Sequence, residues 1–180
     1  MKKVSIISTI TVAFVMLLAV NVSAQDFEGL NKSPMDAASF PTSYKESNKL
    51  VKVIYSRPQL KGRDLNSLAP NGKVWRTGAN EAAQITFYTN MKMGEQTINA
   101  GTYSLFTIPG EEMWTIIINK DINVWGAYSY KESNDVARID IPKTSGEFLE
   151  AFSITFEESD NGALMHMGWG KTRVAIPFTK

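Results

Sequence analysis

Phe152-Ser153-Ile154-Thr155-Phe156-Glu157 alternates apolar and polar side chains without a break, and Asp160-Asn161-Gly162 follows it. Side chains of an extended strand point alternately to opposite faces, so this stretch is a strand with one face on a core and one face in water. An Asn-Gly step after such a run is a hairpin signal, because its residues accept the positive φ of a tight turn. The chain then continues through Leu164 to Trp169 and through Val174, Ile176 and Phe178, as a returning strand would.

The same period recurs upstream. Val51, Val53 and Tyr55 alternate with Lys52 and Ile54, and Ile85 and Phe87 alternate with Thr86 and Tyr88. Tyr103 to Ile108 is β-branched and aromatic and closes on Pro109-Gly110. Trp114 to Ile118 is almost wholly apolar, as a strand covered on both faces is. Ala137, Ile139 and Ile141 complete the series, and turns are marked at Pro70-Asn71-Gly72, Met93-Gly94-Glu95 and Ala100-Gly101. About eight to ten short strands without an amphipathic helix predict an all-β domain. An antiparallel β-sandwich, jelly-roll-like, fits better than a closed barrel, because several strands keep one polar face while a few are covered on both.

The organisation around this domain is simple. Residues 1–24 read as a secretory signal peptide: Lys2-Lys3, an apolar run from Ile10 to Val20, and small residues at Val22-Ser23-Ala24, with cleavage expected after Ala24. Ser5, Ser8, Thr9, Thr11 and Asn21 interrupt the run, which argues against a retained span of roughly 18–20 apolar residues. Residues 25–48 are polar, contain Pro34 and Pro41, and read as a partly ordered arm whose Leu30, Met35, Phe40 and Tyr44 can lie against the domain. Residues 49–180 then form a single domain.

Composition narrows the function classes. The 180 residues contain no cysteine, which excludes a disulfide framework and a lipoprotein cysteine. Removing Lys2 and Lys3 takes the formal charge from +1 to −1, and no basic stripe remains, so nucleic acid is a poor partner. No membrane span is expected after cleavage, and the exported chain is placed in the periplasm or outside the cell. The glycines follow no phosphate-loop or dinucleotide spacing. His166 stands alone, and Asp135, Asp140 and Asp160 lack calcium-loop spacing, so no metal site and no cofactor are expected. A triad of Ser56 or Ser104 with His166 has no nucleophile-elbow motif behind it.

Two stretches carry chemistry. Trp75-Arg76-Thr77-Gly78-Ala79-Asn80-Glu81 places an indole, a guanidinium, an amide and a carboxylate around a glycine. With Arg57 and Arg63 it offers bidentate contacts for a carboxylate, phosphate or uronic acid. The plainer alternative pairs Glu81 with one of these arginines to tie down a loop. Trp125-Gly126-Ala127-Tyr128-Ser129-Tyr130 crowds three aromatics between polar segments, which suits sugars, peptides and flat rings, or simply closes one end of a core. The ligand-binding set expected from sequence is therefore Arg57, Arg63, Trp75, Arg76, Asn80, Glu81, Trp125, Tyr128 and Tyr130.

The ordered series Tyr55-Ser56-Arg57-Pro58, Lys61-Gly62-Arg63, Trp75 to Glu81, Ala100-Gly101-Thr102-Tyr103-Ser104-Leu105-Phe106-Thr107-Ile108-Pro109-Gly110, Trp114-Thr115 and Trp125 to Tyr130 resembles the DUF2911 family of exported bacterial proteins. Ser33-Pro34-Met35-Asp36, Glu150-Ala151-Phe152 and Asp160-Asn161-Gly162-Ala163 extend the resemblance over nearly the whole segment after the signal peptide. The resemblance implies an exported protein of Bacteroidota-type bacteria and assigns no catalytic residue. Three functions stay open: non-catalytic binding of a small polar ligand or glycan, a structural or assembly role with a partner in the cell envelope, and a carbohydrate-active hydrolase using Glu81 as acid or base.

Overall fold

The computed structural model describes residues 25–180, so the expected signal peptide lies outside the described residues. Residues 25–30 are exposed and carry no regular structure. From Asn31 onward the chain forms one compact unit. Its strands are β1 (Met35–Phe40), β2 (Val51–Ser56), β3 (Ala83–Phe87), β4 (Met91–Met93), β5 (Gln96–Ile98), β6 (Gly101–Ile108), β7 (Met113–Asn119), β8 (Asp135–Pro142), β9 (Thr144–Ser159) and β10 (Gly162–Thr179). A single helical turn, α1 (Leu65–Leu68), interrupts the long β2–β3 connection. Among the described residues no helix is long and apolar enough to cross a membrane.

The strands make a six-stranded sheet, ordered β1-β2-β3-β6-β7-β8, and a four-stranded sheet, ordered β5-β4-β10-β9. The pairs are antiparallel and no barrel closes, as the expected sandwich requires. The β9–β10 hairpin turns at Asp160-Asn161, with Ser159 opposite Gly162. What reads in sequence as two returning runs is one strand, β10, whose register shifts between Gly168 and Thr172. The segment expected as an arm supplies β1, which pairs with β2 from Met35 opposite Ser56 to Phe40 opposite Val51. Its alternation is faint because Ala37, Ala38 and Ser39 sit at a sheet edge and only Phe40 is buried.

Between the sheets, Val53, Ile85, Leu105, Ile116 and Ile118 face Phe152, Ile154, Met165, Met167 and Ile176. Trp75 stacks on Trp169 at 5.4 Å and meets Trp114 and Phe152 edge-on at 6.1 and 5.0 Å. Rings of this size each remove about 150–250 Å² from water, so the cluster is the main store of burial free energy at that end of the sandwich. The methionines flanking His166 are core filling, both fully buried. His166 itself is half-buried, its Nε2 lying 3.1 Å from Glu157 Oε1.

The outer face of the six-stranded sheet is covered only over β6 and β7. There Phe106 and Ile117 form a second, smaller apolar cluster with Ala82, roofed by Val124, Ala127 and Tyr130. This explains why Trp114 to Ile118 is apolar on both faces.

Candidate functional site

The roof of that small cluster is built from the two chemistry-bearing stretches. Trp75 sits opposite Thr107, its N–H donating to the Thr107 carbonyl at 2.7 Å and its carbonyl accepting from Thr107 at 2.9 Å. β3 resumes beside β6 at Ala83, opposite Leu105, and the Ala83 N–H donates to the Arg76 carbonyl at 3.0 Å. The loop 77–82 is thus an outward excursion from an otherwise continuous strand edge.

Its geometry is tightly constrained. Gly78 lies against β2, where an added Cβ would stand 2.9 Å from the Ser56 carbonyl oxygen. Thr77 and Asn80 take φ of 54° and 62°. Thr77 is wholly buried, with its Oγ1 3.3 Å from Thr107 Oγ1. A β-branched residue in the left-handed region is rare and costs on the order of 1–3 kcal/mol, and such strain gathers at functional sites.

The β7–β8 connection carries the second stretch. Its ends are tied by the Lys120 N–H to the Asn134 carbonyl at 2.9 Å and by Asn134 Nδ2 to both Asp121 carboxylate oxygens at 2.9 Å. Buried Asn119 donates to Asp135 Oδ1 at 2.8 Å and to the Lys131 carbonyl at 3.0 Å. Tyr130 donates to Asp135 Oδ2 at 2.7 Å and accepts from Arg138 at 2.7 Å, while its ring meets Phe106 edge-on. Burial, then the hydrogen bond and charge of Asp135, push the Tyr130 phenol up to about 12. Burial works against the charge of Arg138, but its bonds to Asp135 and Tyr130 carry its guanidinium above the usual value.

Two backbone bonds join the stretches: Ala82 N–H to the Val124 carbonyl at 3.0 Å and Gly126 N–H to the Asn80 carbonyl at 2.9 Å. Glu81 therefore stands directly opposite Trp125. Residues opposed across an antiparallel pair share a face. With Ala82 turned onto the cluster below, Glu81 and Trp125 project outward, and the indole is 61% exposed. Gly126 has φ 65°, and the Tyr128 ring folds back over it, where an added Cβ would stand 2.6 Å from the ring. That phenol is 89% exposed.

The nine residues expected from sequence separate into two groups. Arg57 spends its guanidinium on Asp36 (3.0 Å), the Phe152 carbonyl (3.1 Å) and Ser153 Oγ (2.7 Å), fastening β1 and β2 to β9. Arg63 donates to the Leu60 and Gln59 carbonyls of its own loop. Trp75 is 4% exposed within the core, and Tyr130 belongs to the Asp135 network. Asn80 and Glu81 are joined by backbone pairing to the loop of Trp125 and Tyr128, and Arg76 lies near Tyr128.

Arg76 is the unusual member. Its Nε is buried without a hydrogen-bond partner. Among the described residues the arginine ion pairs are Arg57–Asp36, Arg138–Asp135 and Arg138–Glu132, and Arg76 and Glu81 take part in none. Burial lowers the Arg76 guanidinium below its usual value, and the nearby Tyr128 phenol acts in the opposite direction. An arginine nonetheless stays cationic in proteins.

A cleft of about 440 Å³ is lined by Phe40, Leu50, Lys92 and the β9–β10 turn, and another of about 230 Å³ by Asn66, Trp114 and Lys143. Neither includes a residue of the Arg76–Trp125 surface. No group of three or more metal-capable side chains occurs among the described residues.

The profile of DUF2911, a protein of unknown function, matches residues 33–178. The chain belongs to the DUF2911 family. No curated protein and no solved structure matches it. The DUF2911 match begins just before β1 and ends within β10, so it takes in both sheets and both loops of the surface.

Sequence reasoning weighs Asp135 as a metal ligand and passes over Asn119 and Arg138; the three together anchor the Trp125 loop. A signal is present in Asn119: a fully buried polar residue closing the apolar run Trp114 to Ile118 needs partners.

Proposed function

We propose that this DUF2911 protein is exported and binds a small polar ligand or glycan, without chemistry of its own, on the surface made by Arg76, Asn80, Glu81, Trp125 and Tyr128. The observation that carries the reading is Arg76, whose Nε is buried without a partner and whose guanidinium lies near exposed Tyr128, on the loop that also carries exposed Trp125. A buried donor without a partner costs about 1–3 kcal/mol. Strain at Thr77 and the tied ends of the Trp125 loop support the same reading, since both hold side chains in place before a ligand arrives.

The alternative, a purely structural role in the cell envelope, would be favoured by Arg76 and Glu81 paired and buried, and among the described residues they form no ion pair. Export rests on Lys2-Lys3, the following apolar run and the small residues Val22-Ser23-Ala24.

A thermal-shift screen of the purified protein against oligosaccharides, sugar acids, peptidoglycan fragments and phosphates tests the reading. Binding at a hundredfold excess over Kd adds about 2.7 kcal/mol to the native state, a rise of several degrees. The rise disappears in Arg76→Ala and in Trp125→Ala. A ligand whose shift survives both substitutions binds elsewhere and defeats the assignment.

A further inference from the structure

The charge and shape of the surface narrow the ligand class, on the reading that it is a binding surface at all. We infer that its ligand is an oligosaccharide containing a sugar acid, with the ring carboxylate held by Arg76, a hydroxyl donated to Glu81, and the C–H face of the sugar ring against Trp125.

Each element of that assignment follows from a side chain already described. A guanidinium is a planar fork of donors that matches the two oxygens of a carboxylate. The Arg76 Nε is buried without a partner, and the two terminal nitrogens, engaged in no ion pair among the described residues, are the donors left to present that fork. Glu81 is outward-facing and in no ion pair among the described residues. An ionised carboxylate only accepts hydrogen bonds, so its natural partners are hydroxyls. A phosphate dianion carries more charge than a single guanidinium offsets, so a singly charged carboxylate fits Arg76 better. Trp125, on the face of Glu81, offers an exposed aromatic surface of the width of a pyranose ring.

Oligosaccharides in matched forms test this by isothermal titration with the purified protein. The probes are 1,4-linked oligogalacturonate, oligomannuronate and oligoguluronate, their methyl esters, the neutral 1,4-linked hexose oligomers, a hexose 6-phosphate, and a short peptide with a free C-terminal carboxylate. The expected result is saturable binding of at least one oligouronate. Its affinity falls roughly tenfold or more on methyl esterification and in Arg76→Gln, as loss of a charge-assisted bond requires. It also weakens with added salt, and Trp125→Ala abolishes it while circular dichroism stays unchanged. If the methyl ester or neutral oligomer binds as well as the acid, or the phosphate or peptide binds in preference, and Trp125→Ala still abolishes binding, the sugar-acid inference is overturned and the surface stands. If no probe binds, or binding ignores both substitutions, the binding reading falls with it.

Discussion

Trp75 and Trp125 both open short stretches that contain a glycine, yet one is sealed between the two sheets and the other stands on the outer face of one sheet. Around Trp75 every neighbour is spent on the fold: Trp169 stacks on it, Trp114 and Phe152 meet it edge-on, and Arg57 nearby in sequence fastens three strands. Around Trp125 the fold supplies only a platform, made of Ala82, Phe106 and Ile117, and a tied loop above it. The side chains on top, Arg76 and Glu81 included, have no partners that the fold needs. The two regions are adjacent in sequence at Trp75-Arg76, so the division between holding the structure and presenting a surface falls between consecutive residues.

That division can be broken by substitution. Trp75→Ala is expected to cost about 3–5 kcal/mol, the range for truncating a buried aromatic, read from urea unfolding. Trp125→Ala is expected to stay within about 0.5 kcal/mol of the parent in the same measurement. Similar losses from both would erase the contrast. Arg57→Met comes next, at about 1.5–3 kcal/mol, because hydrogen bonds to a charged group are lost and the Phe152 carbonyl loses a donor.

Tyr130→Phe sharpens the picture of the platform beneath the surface. It removes two part-buried hydrogen bonds, one donated to Asp135 and one accepted from Arg138, together worth about 1.5–3 kcal/mol near neutral pH. Because the folded phenol titrates near 12, above its ordinary value of 10.0, the native state holds that proton more tightly than the unfolded chain. The stabilisation is complete below pH 10 and is lost as pH rises toward 12. Unfolding of parent and variant across pH 8 to 12 should therefore show a gap that is constant at first and then closes. A gap independent of pH would mean that Tyr130 does not hold the loop through Asp135.

How much of this is legible in the sequence follows from how local each cause is. Period-two runs such as Phe152 to Glu157 and the turn at Asp160-Asn161 need only neighbouring residues, and they yield the all-β fold and its longest hairpin. β1 is hidden because an edge strand of Met35-Asp36-Ala37-Ala38-Ser39-Phe40 has little apolar face, and its place is secured by Arg57 and β2 from far along the chain. The surface is half legible. Both loops stand out for their composition, but their pairing through Glu81 and Trp125 is a contact between distant segments. Which arginine is spent cannot be read from spacing: Arg57, Arg63 and Arg76 differ only in what the folded chain sets beside them.

The most direct measurement is the unfolding midpoint of Arg76→Met without any ligand. If Arg76 is held unpartnered for a ligand, removing its half-buried charge leaves the midpoint unchanged or raises it, since the desolvation cost disappears and no bond is lost. A midpoint lowered as far as in Arg57→Met would contradict the account and make Arg76 one more residue that holds the fold.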